Sequence, residues 1–177
     1  MISVFVDGAN LYSTSKALGL EIDFKTVKEI FGKDLLRINY YTAILPDGQY
    51  SSIKPMLDWM EYNGYTIVKK DAKEFFDSAT GRRKVKGNMD IEMAVDAREA
   101  ASHCKDIWLF TGDGDFTYLV QSLKRLGAKV TVVSSIKTQP SMIADELRRA
   151  CDVFMELEDF LALQRPMTIV KEKSRWS

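Results

Sequence analysis

Five short apolar runs, each separated from the next by a stretch with helical apolar spacing, limit the fold of this chain more than any other feature. Residues 2–6, 37–45, 65–69, 106–110 and 129–133 are rich in Val, Ile, Leu, Phe and Tyr and have the length of strands. Between them, apolar residues recur three and four apart, as at Ile53, Met56, Leu57 and Met60, or at Met89, Met93, Ala97 and Ala100–Ala101. Helices are expected over 11–18, 24–31, 52–63, 89–102, 116–126 and 141–150. A last helical turn or two falls at 158–163, with Val153–Met155 as a candidate short edge strand. Turn signals support these boundaries: Pro46-Asp47-Gly48 closes the second strand, and Asn63-Gly64 caps a helix. Strands alternating with helices build an α/β parallel sheet with helices on both faces, and right-handed crossovers leave few topologies. Two stretches fall outside the pattern. Residues 71–86 are polar and basic around a turn-like Ser78-Ala79-Thr80-Gly81, and the tail from Gln164 reads as a terminal arm. The expectation is one domain over 1–163 and a basic C-terminal tail over 164–177.

Composition acts mainly by exclusion. With 46% hydrophobic and 28% charged residues, the 177-residue chain is globular rather than disordered. No apolar run approaches the ~20 residues of a membrane span. The start, Met1 to Asp7, lacks the basic region and cleavage site of a signal peptide. A cytoplasmic protein with no membrane partner is expected. Cys104 and Cys151 are too few for a disulfide framework or a Cys-rich zinc site. His103 is the only histidine, so a histidine zinc site, a Ser-His-Asp triad or a Cys-His dyad would each rest on that one residue. Its place near a helix C-terminus suits a cap better.

The acids are more informative. Ligands of open α/β sheets bind outside the carboxyl ends of the strands. Asp7-Gly8-Ala9-Asn10 follows the first strand, and Thr111-Gly112-Asp113-Gly114-Asp115-Phe116 follows the fourth. The helix near residue 89 is led by Lys86-Gly87-Asn88-Met89-Asp90. Three segments thus bring Asp7, Asp90, Asp113 and Asp115 toward one edge of the sheet. Like charges at ~4 Å repel by several kcal/mol at moderate dielectric. A divalent cation relieves this, and hard oxygen ligands suit Mg²⁺ or Mn²⁺. Such an ion holds a phosphate oxygen and activates water, so metal-assisted phosphoryl chemistry is the reaction class these residues best support. Each acid alone also reads as a cap or a solvated turn. Asn10 reads either as a helix cap or as a group that positions water or a phosphate oxygen. Asp96 reads as support or surface.

These motifs resemble a known family. Val4-Phe5-Val6-Asp7-Gly8-Ala9-Asn10-Leu11, then Lys86-Gly87 with Asp90 and Glu92-Met93-Ala94-Val95-Asp96-Ala97, then Thr111-Gly112-Asp113-Gly114-Asp115-Phe116, are similar to the NYN domain family, the LabA-like branch of the PIN-like nuclease superfamily. The resemblance runs from residue 2 to about 160. It implies a Rossmann-like three-layer α/β/α sandwich of about five parallel strands in order 3-2-1-4-5. It also implies Mg²⁺- or Mn²⁺-dependent cleavage of RNA, with Asp7, Asp90, Asp113 and Asp115 as metal site and Asn10 as the polar partner. Thr111 matches the small hydroxyl residue before the fourth-strand acids. Asn88-Met89 inserts one residue more than many relatives have, which moves Asp90 by up to one helical position.

Charge placement fits a nucleic-acid partner although the total is zero. Residues 69–86 carry seven bases and three acids, residues 164–177 four bases and Glu172, so the rest of the chain is net −7. The first stretch leads straight to Asp90. Arg82, Arg83, Lys84 and Lys86, with Thr111 nearby, are expected to contact an RNA backbone. Phe75, Phe76 and Trp176 are placed either to stack on bases or, for the two phenylalanines, to anchor the loop to the core. Tyr40-Tyr41 and Trp59–Tyr62 read first as core and second as an interface with a protein partner or another copy of the chain. A haloacid-dehalogenase-type phosphatase is argued against by Ala9, which stands where a second aspartate is needed. A dinucleotide site is argued against by Gly112-Asp113-Gly114, which lacks a third glycine. The remaining alternative is a non-catalytic RNA-binding or regulatory module of the same fold.

Overall fold

The first strand, β1 (Ile2–Asp7), is buried on both faces, as the centre of a parallel sheet requires. Its neighbours in the computed structural model, which describes residues 1–45 and 50–163, are β2 (Leu35–Ile44) and, across the other edge, a strand whose paired residues lie 104 positions later. Between β1 and β2 lie α1 (Gly8–Leu18) and α2 (Phe24–Phe31). Then follow α3 (Tyr50–Tyr62), β3 (Tyr65–Asp71), β4 (Lys73–Asp77), β5 (Arg82–Lys86), α4 (Asp90–Ala100) and β6 (Asp106–Phe110). The chain ends in α5 (Thr117–Arg125), β7 (Lys129–Ser134), α6 (Asp145–Ala150), β8 (Val153–Glu156) and α7 (Leu157–Ala162). The turn expected at 46–48 and the tail from Gln164 lie outside the described residues.

Six parallel strands form the main sheet in order β3-β2-β1-β6-β7-β8. The five strands expected from sequence keep the order 3-2-1-4-5, and the short strand at 153–156 adds a sixth at the edge. Alternation along each strand sorts the two cores. Val4, Val6, Phe110 and Val133 pack with Leu11, Val27, Phe31, Leu57 and Phe160 from α1, α2, α3 and α7. Phe5, Ile107, Leu109, Val130 and Val132 pack with Met93, Ala97, Val120, Leu123 and Leu147 from α4, α5 and α6. Phe160 sits among Phe31, Trp108 and Phe110, with ring centroids 5.0–6.0 Å away. Burial of each such side chain stabilises by about 1.5–3 kcal/mol. Tyr40 and Tyr41 are core, whereas Trp59 and Tyr62 are exposed. Among the described residues no helix is long and apolar enough to cross a membrane.

Two local expectations need correction. The stretch 71–86 is not an irregular loop: β4 and β5 pair as an antiparallel hairpin separate from the main sheet. The helix expected over 141–150 begins only at Asp145. The preceding N–H groups are engaged elsewhere: Met142 and Ile143 donate to the Ser135 carbonyl and Ala144 to that of Gly112. Residues 135–144 therefore form a strap folded onto the loop after β6.

Candidate metal centre

The strand order reverses between β1 and β6, so the crevice at their carboxyl ends is the switch point of the sheet. Asp7 ends β1, and the Thr111–Asp115 loop follows β6. The third contributor, Asp90, opens α4, where the positive end of the helix dipole favours a carboxylate. One carboxylate oxygen from each of Asp90, Asp113 and Asp115 lies within 4.8 Å of the others. Asp90 reaches the cluster despite the extra residue ahead of it. Asp7, Asn10, Asp90 and Asp113 line a cleft of about 300 Å³ with Ser13, Gly87 and Met142.

Asp7 lies in this cleft but outside the group of three. Its Oδ1 accepts the Asn10 N–H at 3.1 Å, which caps α1, and its Oδ2 accepts the Thr111 hydroxyl at 3.1 Å. Burial raises its carboxyl above the ordinary value, these hydrogen bonds draw it down, and Asp113 pushes it up again. Asn10 is thus not the cap of α1. Its Oδ1 accepts the Gly112 N–H at 2.9 Å, joining the ends of β1 and β6. Thr111, expected beside the nucleic acid, is only 1% exposed, and its hydroxyl also accepts the Asp113 N–H at 3.2 Å. It links Asp7 to Asp113 instead of presenting a surface. Asp113 accepts the Asp115 N–H at 2.9 Å and so caps the 3-10 turn Gly114–Phe116, while α5 itself has no side-chain cap. Asp113 thus caps this turn and not the helix expected over 116–126, and it still lines the cleft.

Arg82, Arg83, Lys84 and Lys86 all lie on exposed β5. Phe75 and Phe76 are 47% and 68% exposed, so neither anchors the hairpin to the core. Trp176 lies outside the described residues. Asp96 accepts the Tyr41 hydroxyl at 2.8 Å and braces α4 against β2. His103 is exposed beside Ser102 at the end of α4, away from the cleft. Sequence reasoning missed the strap. A Cβ on Gly112 would collide with the Met142 carbonyl and lie 2.7 Å from the Ser134 hydroxyl oxygen, so only glycine fits there.

Electrostatics test whether a cation suits the cluster. Burial pushes Asp90 up to about 6, and the neighbouring charges that add to this are Asp113, Asp7, Asp115 and Glu92, all carboxylates. Hard oxygen donors that destabilise one another fit a divalent ion. Because its folded pKa exceeds the value of 3.8 for a free carboxyl, Asp90 binds more protons when folded between about pH 4 and 6. Its contribution to the stability of the metal-free protein is therefore lost as pH rises through that window. Partial exposure screens this to on the order of 1 kcal/mol. Thermal unfolding in EDTA should show Asp90→Asn gaining on wild type at about pH 7.5 but not at about pH 4.5. An equal difference at both pH values would contradict the coupling.

A parallel sheet with acids at its switch point defines a class of protein, and sequence comparison assigns it. Residues 1–158 match the NYN domain model, and the chain belongs to the NYN domain family. Over 163 residues it is 31% identical to the Low amplitude and bright protein LabA of Synechococcus elongatus, spanning 89% of this chain and 84% of that protein. A crystal structure of a Vibrio parahaemolyticus protein of unknown function shares the fold, with a TM-score of 0.70 and 23% identity over 90% of this chain and 93% of that one.

Proposed function

We propose that the protein is a divalent-metal-dependent ribonuclease that hydrolyses phosphodiester bonds of RNA, with single-stranded RNA as the substrate. The observation that carries this reading is the meeting of Asp90, Asp113 and Asp115 within 4.8 Å at the switch point of the sheet. Membership of the NYN family supports it. Asp90, Asp113 and Asp115 would hold Mg²⁺ or Mn²⁺, with Asp7 beside them. When bound, the ion polarises a phosphate oxygen and lowers the pKa of a water.

The chain's own residues supply positioning. Thr111 and the Asn10 N–H orient Asp7, and Asn10 and the strap fix the backbone of Gly112, from which Asp113 projects. Arg82, Lys84 and Lys86 of β5 raise the local concentration of a polyanion beside the cleft. In incubations with end-labelled single-stranded RNA, cleavage is expected with Mn²⁺ or Mg²⁺ and none in EDTA. RNA that is bound but left intact with both metals would favour the non-catalytic module instead.

A further inference from the structure

Among the described residues, the β4–β5 hairpin pairs only with itself. Directly opposed residues of an antiparallel pair share a face, so the register sorts its side chains. Lys73, Phe75 and Asp77 share one face with their partners Lys86, Lys84 and Arg82. Glu74 and Phe76 share the other with Val85 and Arg83. The first face thus holds four cations, one carboxylate and a phenyl ring, net +3. The second holds one cation and one carboxylate around Phe76 and Val85, net zero. The basic residues that look like one run in sequence are divided, with Arg83 turned away from the rest.

Phe75 stands 47% exposed among the cations of its face, and Lys84 Nζ lies 2.6 Å from Asp77 Oδ2 across the ribbon. Residues two apart on a strand repeat at about 6.8 Å, comparable to the separation of successive phosphates in an extended single strand. Cations at that repeat follow the backbone of a single strand, and an exposed ring between them offers a base its π-face. A duplex keeps its bases stacked inside and gains nothing from the ring. The ribbon also ends at the cleft: Lys86 is followed by Gly87, Asn88 and Met89, which line it, and then by Asp90.

We propose that the hairpin face formed by Lys73, Phe75, Arg82, Lys84 and Lys86 binds single-stranded RNA and leads it to the acidic cleft, while the Phe76–Arg83 face takes no part. This rests on the reading that the cleft handles RNA, but its test needs no turnover. Binding of the full chain to a fluorescent oligouridylate of about 12 nucleotides is measured by anisotropy in EDTA. Phe75→Ala should weaken binding at least about fivefold, and Phe75→Trp should restore it. The double variant Lys73→Gln/Lys86→Gln should flatten the log–log salt dependence by about 1.4. Phe76→Ala/Arg83→Gln should stay within about twofold of wild type, as expected for groups outside the contact. Equal losses from both faces, no binding by wild type, or a duplex bound as tightly as the single strand would overturn the proposal. Face-selective binding without cleavage in Mn²⁺ would support it while contradicting the nuclease reading. Cleavage of RNA unaffected by the first-face variants would do the reverse.

Discussion

Asparagine in place of Asp113 should lower metal-dependent RNA cleavage at least about 100-fold while the protein stays folded. Asp113 is the hub of the cluster. It groups with Asp90 and Asp115, and its charge raises the carboxyls of both Asp7 and Asp90. Asparagine keeps the shape, and its side-chain oxygen still accepts the Asp115 N–H that holds the 3-10 turn. What is lost is one negative charge in a cleft that needs it for a cation. In EDTA the variant should unfold at the same temperature as wild type or higher, because repulsion within the cluster is relieved. Added Mn²⁺ should stabilise wild type and not the variant. Initial rates at saturating Mn²⁺ decide the matter: a variant within tenfold of wild type would remove Asp113 from the metal site.

Gly112→Ala should cost about 2–3 kcal/mol and lower Tm by about 5–10 °C. The added methyl would meet the Met142 carbonyl, a backbone group, and the buried Ser134 hydroxyl. The strap cannot simply withdraw, since the Ala144 N–H is bonded to the Gly112 carbonyl at 2.9 Å. Asp113 follows directly, so activity should fall with stability. Gly114→Ala is the milder comparison: its methyl would meet the carboxylate end of Glu146, an exposed side chain able to swing aside, and the Ala144 Cβ at 3.0 Å, which needs to give by only a few tenths of an ångström. That variant should unfold within about 1 kcal/mol of wild type. Equal effects of the two substitutions, measured by thermal unfolding, would show that the strap is not rigid.

The main sheet was legible because its central strands are buried on both faces and read as continuous apolar runs. Val4-Phe5-Val6 and Ile107–Phe110 are such runs, whereas the strand order was implied by the resemblance to the NYN domain family and not by the runs themselves. The hairpin was not legible for the converse reason. Lys73–Asp77 and Arg82–Lys86 bury almost nothing, so no burial pattern marks them as strands, and only the Ser78–Gly81 turn hinted at pairing. At 141–144 the apolar residues Met142 and Ile143 imitate a helix start, but their N–H groups serve the Ser135 carbonyl instead. In the site, Asp113 and Asp115 could be read from the end of a strand and Asp90 from the start of the helix that follows the basic stretch, all three facing one edge of the sheet. The roles of Asn10 and Thr111 could not. Each is set by a partner about a hundred residues away, Gly112 for Asn10 and Asp7 for Thr111. No local spacing encodes such a contact.

The presence of a divalent ion on the three carboxylates is the claim on which the chemistry depends. Anomalous diffraction from crystals of the full chain grown with Mn²⁺ tests it directly. The account predicts an anomalous peak in the cleft, about 2.0–2.6 Å from oxygens of at least two of Asp90, Asp113 and Asp115. Manganese bound only elsewhere on the protein, with this cluster empty at saturating metal, would contradict it.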